Sequence, residues 1–456
     1  MTSPAQVPAA AIGRDGEKRT VSPSTATAIA IADMIGIGVF TSLGFQLMSI
    51  PSGFAILMLW VVGGLAALGG ALSYAELAVA FPRSGGEYNF LSRIYHPALG
   101  FMAGWISATV GFAAPVALAA MAFGEYFAGV IPGAPALFVG LAVAWAVSLV
   151  HLSGLQHGTT LQNVSTVIKV VLIAAFIVAG FAIGEPQPIS FLPQPGDLDY
   201  IASAPFAVSL VFVMYSYSGW NAATYIAGDI REPERCLPKA MLIATLAVTV
   251  LYVLLNAVFL YTTPIAAMAG QLNVAQIAGE HIFGVTGGRV VAGLICIGLV
   301  SAISAMMWIG PRVTVAMGED FPLLAVFSQR SRSGVPVPAL ALQIAVVTLL
   351  LLTQSFEAVL DFIQFSLTLC SFLAVLGVIV LRSTRPDLPR PYKVWAYPLT
   401  PLVFLGVTGF MMFYLFSERP LQSLASLGLM ASGLVLFFLS KRDLVRGEAL
   451  KSAVKG

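Results

Sequence analysis

Apolar residues run along this chain in long continuous stretches, not in alternation, and short polar connectors separate them. A hydrocarbon core of roughly 30 Å needs about 20 apolar residues per helix. On that criterion twelve spans are expected: 24–48, 53–80, 98–130, 135–152, 161–183, 201–228, 238–261, 288–317, 338–353, 356–381, 396–416 and 421–439. The absence of a period-two pattern argues against a β-barrel. The third and eighth stretches exceed the minimum length, so they are expected to tilt. Residues 82–97 form the longest inner connection, with a short amphipathic run that is expected to lie along the interface or to re-enter.

Composition sharpens the membrane reading. The chain is 58% hydrophobic and 10% charged, against about 45–50% and about 25% for soluble domains. Residues 1–21 are polar and carry Arg14, Lys18 and Arg19. The first apolar run is long enough to span and lacks a small-residue cleavage site, so no cleavable signal peptide is expected. Cys236, Cys296 and Cys370 show no metal or redox spacing, and the histidines (His96, His151, His157, His281) sit in loops or at span ends. No metal and no cofactor is expected. A net charge of +2 with no basic domain gives nucleic acid no footprint.

Loop charge sets the orientation. The N-terminal tail and the connections after spans two, six, eight and ten carry Lys or Arg, the last as Arg382, Arg385, Arg390 and Lys393. Lys441, Arg442, Arg446, Lys451 and Lys455 follow span twelve. The opposite set holds Arg289 and Arg419. Both termini are therefore expected in the cytoplasm, although the connection 153–160 carries no Lys or Arg.

The candidate chemistry lies in two matched interruptions. Span one contains Met34-Ile35-Gly36-Ile37-Gly38-Val39-Phe40, and span six contains Tyr215-Ser216-Tyr217-Ser218-Gly219-Trp220-Asn221. Glycine costs a helix about 1 kcal/mol relative to alanine. It is also a common packing residue between membrane helices. Two interruptions five spans apart favour unwinding over packing alone. They suggest inverted repeats of five helices with a midplane binding site. The repeats are read as 24–183 and 184–381, between tails 1–23 and 441–456, with residues 382–440 forming two extra spans. Freed amides at a half-helix start favour a carboxylate, and freed carbonyls at a half-helix end favour an ammonium. A zwitterionic amino acid satisfies both.

Around the second interruption the chain resembles the amino acid–polyamine–organocation superfamily, most closely bacterial relatives of the L-type amino acid transporter light subunits. The resemblance rests on Tyr217-Ser218-Gly219-Trp220-Asn221, on Asp229, and on Glu232-Pro233-Glu234-Arg235-Cys236-Leu237-Pro238-Lys239-Ala240. Tyr74-Ala75-Glu76-Leu77 and Ser84-Gly85-Gly86-Glu87-Tyr88 add to it. It implies an all-α membrane protein with a leucine-transporter-like fold of five plus five inverted helices and two C-terminal helices. It also implies secondary transport in a bacterial inner membrane. Carried over by position, the backbone amides of Gly36, Ile37 and Gly38 would meet the substrate carboxylate. The carbonyls of Tyr215 and Ser218 would accept from its ammonium, with Ser216 and Gly219 in the same segment. The Tyr215 ring would gate the outer side, and Asn221 would lie near substrate. The residue between the two glycines is usually small, often serine, and is Ile37 in this chain.

Four ionisable residues in or at the edges of spans invite functional readings: Asp33, Glu76, Glu125 and Lys169. The family carries a lysine at the Lys169 position, where sodium-coupled relatives bind sodium. Lys169 is therefore expected to replace the ion and couple to span one; snorkelling to the surface is the alternative. Asp33 has three readings: a pair with Lys169, a proton site, or a vestibule residue. Glu76 and Glu125 are expected to be solvated or to anchor loops. Ser301 and Ser304 are expected to pack or to bond Lys169. Neither a cationic nor an acidic substrate side chain finds a partner at the span-six interruption, so a small neutral amino acid is expected. A polyamine or other organic cation is the alternative, and an ion channel is more distant. Enzymatic chemistry is not expected, because neither a cluster of catalytic groups nor a phosphate loop is present. Expected partners are the amino acid and membrane lipids. A disulfide-linked heavy chain is not expected, since residues 131–134 contain no cysteine.

Overall fold

The computed structural model describes residues 22–81, 86–153, 158–225, 230 and 232–455, without the side chains of 158–163, 165, 225 and 441–455. Residues 1–21 of the expected inner tail 1–23, together with Ser84, Gly85, His157 and Asp229, lie outside the described residues. Within them the protein is all-helical. Nine helices are long and apolar enough to cross a membrane, and three shorter apolar ones, Ala136–Leu152, Ala204–Ser216 and Val337–Leu352, complete the twelve expected segments.

Local chemistry marks the helix starts. Ser22, Ser52, Ser203 and Ser355 each cap a span by accepting an amide, from Thr25, Ala55, Phe206 and Ala358. Such a cap satisfies one of the orphan donors of the first turn. Pro23 and Pro97 begin helices where no N–H is needed.

The structure departs from simple spans in four places. Span one is two helices, Pro23–Met34 and Gly38–Leu47. Span six is Ala204–Ser216, then a turn, then Ala222–Tyr225. Span three contains a π-helical turn, Ser107–Gly111. There Ser107 and Thr109 donate their hydroxyls to the carbonyls of Ala103 and Trp105. The expected start of span eight at Gly288 also needs correction. Helix runs from Val274 to Asp320 and is interrupted only at Gly284, whose φ of 75° no ordinary side chain favours.

Span eight packs on spans three and five, while span two packs on spans seven and eleven. The short helix Gly86–Ile94 buries Glu87, Asn89 and Phe90 beneath span ten. Glu76, fully buried near the C-terminal end of span two, receives Arg382 (Nη2 to Oε2 2.6 Å) and the amide of Val394 at 2.6 Å. Arg390 stands 3.7 Å away. Glu76 thus anchors the connection between spans ten and eleven.

Candidate substrate site

The two interruptions meet at the centre of the molecule. After Met34 the chain bends at Ile35 (φ −75°, ψ 75°), and helix resumes at Gly38. The Gly36 amide turns back onto the Met34 carbonyl at 2.7 Å. Gly36 is therefore not an open donor in this conformation, contrary to the expectation, and the amides at the start of the second half-helix begin with Ile37 and Gly38. The first amides of any helix lack intrahelical acceptors. In span six, Tyr217 through Asn221 fold into successive turns, with the Ser218 amide on Tyr215 O at 3.0 Å and the Ala222 amide on Gly219 O at 2.9 Å. Gly219 has φ 105°, a backbone state that glycine alone enters freely.

The breaks lock against each other. A β-carbon on Gly38 would come within 2.8 Å of Ser216 Cα, and one on Gly219 within 2.8 Å of the Asp33 carbonyl carbon and Oδ2. Asp33 therefore stands at the span-six break, which corrects the expectation that no acid reaches it. A β-carbon on Gly36 would meet nothing nearer than the Met34 carbonyl oxygen, at 3.9 Å.

Two side chains from other spans hold the first break. Lys169, on span five, is 7% exposed and donates from Nζ to the Ile35 carbonyl at 2.5 Å. Its charge sits at the C-terminal end of the first half-helix, where the helix dipole favours a cation. Asp33 acts on it electrostatically, but among the described residues no ion pair within 4 Å joins them. From span seven, the Tyr252 hydroxyl lies 2.6 Å from Met34 O and 3.1 Å from Ser216 O. One hydroxyl so reaches the ends of both broken helices. Sequence reasoning missed Tyr252. Its signal was a tyrosine with a polar tip in the middle of an apolar span.

The other expected site residues divide into free and committed groups. Ser216 is buried and shares its hydroxyl with Phe212 O and Ser42. Ser218 is exposed, and Tyr215 is partly buried against the core. Asn221 donates to Glu87 Oε1 at 3.1 Å, and Tyr74 donates to the same oxygen at 2.8 Å. Ser304 meets His151 at 3.0 Å on span four. A pocket of about 10 Å³ lies beside the first break, lined by Gly36, Ile37, Phe40, Lys169 and span-eight residues including Gly298 and Ala302. That is room for about one water.

The expected outer side is closed in this conformation. Tyr126 donates to Phe40 O at 2.8 Å, and the Gly270 amide to Gly44 O at 2.8 Å. Phe45 stacks between Phe212 and Phe356, at 5.1 and 5.6 Å between ring centroids. These contacts tie the second half-helix of span one to spans three, six and ten and to the connection before span eight.

Residues 21–439 match the family described as amino acid permease. The chain belongs to that family. This permease is similar over most of its length to curated transporters. It is 28% identical over 424 residues to the b(0,+)-type amino acid transporter 1 of Mus musculus, covering 90% of this chain and 85% of that one. It is 25% identical over 405 residues to the serine/threonine exchanger SteT of Bacillus subtilis (strain 168), covering 87% and 91%. With the large neutral amino acids transporter small subunit 2 of Mus musculus the identity is 27% over 455 residues, covering 96% and 84%. The family and these relatives are transporters, not enzymes.

Proposed function

We propose that this permease carries an α-amino acid, small and neutral, across the membrane by alternating access. The carboxylate rests on the amides of Ile37 and Gly38, and the ammonium on carbonyls of the span-six turn at Tyr215 and Ser218. One observation carries the reading: two interrupted helices packed on one another, with a buried cation fixed to the first. In this conformation the pocket beside the first break is too small for an amino acid, so substrate enters when the breaks separate. Tyr215 and the Phe45 stack close the outer side. Lys169 occupies the place of a coupling ion, which makes transport sodium-independent. The released ammonium of Lys169 and the freed Ile35 carbonyl would move the first half-helix. The cycle is proton-coupled or an exchange; the exchange arm draws on the Bacillus subtilis relative, a serine/threonine exchanger.

The two five-helix repeats, 24–183 and 184–381, supply one break each. Both termini face the cytoplasm of a bacterial inner membrane, as the loop charges support, and no disulfide-linked heavy chain is needed. A cationic substrate is the second reading, favoured by Asp33 Oδ2 at the span-six break.

The test is uptake into proteoliposomes. Saturable, sodium-independent counterflow of a small neutral amino acid is expected, with inhibition by other neutral amino acids. Counterflow of diamines or cationic amino acids alone would favour the second reading. Single-channel currents without counterflow would remove both.

A further inference from the structure

Span ten carries an acid that the transport reading does not use. Asp361 stands one helical turn from Glu357 near the expected outer end, and its side chain is 0% exposed. Neither carboxylate oxygen receives a hydrogen bond. Arg419, just past span eleven, holds its Nε 3.5 Å from Oδ2, while its Nη2 binds Glu357 Oε1. Arg419 and Glu357 are each about one third exposed, at 38% and 35%. One turn deeper, Gln364 donates to Thr368, and its own oxygen lacks a donor.

A buried carboxylate without hydrogen bonds carries a large desolvation penalty, and a partly hydrated guanidinium offsets only part of it. Protonation removes the charge and turns an acceptor into a donor, and a vacant acceptor lies one turn away on Gln364. Arg419 has a second carboxylate to hold when Asp361 is neutral. The site therefore has two balanced arrangements: Asp361 ionised with Arg419 drawn toward it, or Asp361 neutral with Arg419 left on Glu357.

Arg419 and Glu357 are the charged groups that act on Asp361. The spans 204–216 and 420–440 bring none. Glu125 on span three and Glu418 on span eleven are exposed. Glu76 and Arg382 sit at the far end of span ten, and Glu87 acts on Cys370. Arg93 shares the short inner helix with Glu87 and bonds Asn89.

Phe356, one residue before Glu357, stacks on Phe45 of the second half-helix. We infer that Asp361 is a proton-binding site whose occupancy, read through Arg419 and Glu357, biases the closure of span ten over the substrate path. The link to closure rests on the transport reading; the proton site itself does not.

Infrared difference spectra of the purified full-length protein, taken between mildly acidic and mildly alkaline buffer, test the site directly. A band from a buried protonated carboxyl is expected. It should vanish in Asp361→Asn and remain in Glu357→Gln. In Arg419→Gln, where the nearby cation is gone, the band should persist into more alkaline buffer, and this variant serves should Asp361→Asn misfold. No titrating buried carboxyl, or a band unchanged in Asp361→Asn, would overturn the proposal. In proteoliposomes, accumulation driven by a pH gradient should fall in Asp361→Asn to the level seen without a gradient. Accumulation as in the wild type would overturn the coupling. A wild-type protein that shows no counterflow would instead defeat the transport reading and leave the spectroscopic result standing.

Discussion

The two broken helices are broken in different ways. The break in span one is three residues long and has no positive-φ residue. Its carbonyls are held by Lys169 from span five and Tyr252 from span seven. The break in span six is longer, and it is bonded largely by its own turns around Gly219 at φ 105°. Local sequence thus builds the second break, while distant side chains build the first. A joint held from outside opens when its holders let go, whereas a self-bonded turn keeps its shape. On the transport cycle proposed above, the first break is the moving part, and the second is the fixed surface against which it closes.

The substitution with the largest expected effect attacks the outside hold. Lys169→Ala removes a charge-assisted hydrogen bond worth about 1.5–3 kcal/mol, roughly a tenfold to hundredfold effect. Uptake should drop to near background while the purified protein stays monodisperse. Wild-type uptake would mean that the first break does not depend on Lys169.

Gly219→Ala comes next, because it strikes the self-bonded turn. A β-carbon in the left-handed region costs roughly 1–2 kcal/mol, and it would also collide with Asp33. Thermal stability and uptake should fall together, unlike the selective loss for Lys169→Ala. Full stability would show that the turn is less constrained than its dihedral indicates.

Tyr252→Phe is a smaller step, because it deletes one shared hydroxyl at about 1 kcal/mol. Partial uptake is expected, with a changed ratio of exchange to net transport, since that hydroxyl reaches both breaks. An unchanged ratio would separate the two breaks mechanically. The smallest effect belongs to Gly36→Ala, whose β-carbon would make only an ordinary contact with the Met34 carbonyl oxygen at 3.9 Å. Near-normal stability should contrast with a clear loss in Gly38→Ala, where Ser216 stands in the way. Equal losses in a melting assay would contradict the packing described.

Much of this architecture was readable from residue order. Continuous apolar runs marked the twelve segments, and two glycines spaced by Ile37, together with the Tyr-Ser-Tyr-Ser-Gly-Trp-Asn segment, marked both interruptions. Those are local signals, since each break lies within a few consecutive residues. What escaped depends on contacts across the chain. The approach of Asp33 to Gly219 joins residues 186 positions apart in the chain, and Tyr252 reaches Met34 from span seven. No periodicity records either one. The π-turn in span three leaves no mark in residue order, because hydroxyls bond back to carbonyls in the unbroken helices as well, as at Ser148 and Thr249. Asp361 was open to view as an acid inside an apolar stretch, yet its isolation from hydrogen-bond donors emerges only when spans ten and eleven are packed together.

The central claim is that an amino acid bridges the two breaks. A structure of the permease solved with a transported amino acid bound tests it most directly. The account predicts the carboxylate within hydrogen-bond distance of the Ile37 and Gly38 amides and the ammonium on carbonyls of the span-six turn. Substrate bound away from both breaks, with their spacing unchanged, would contradict it.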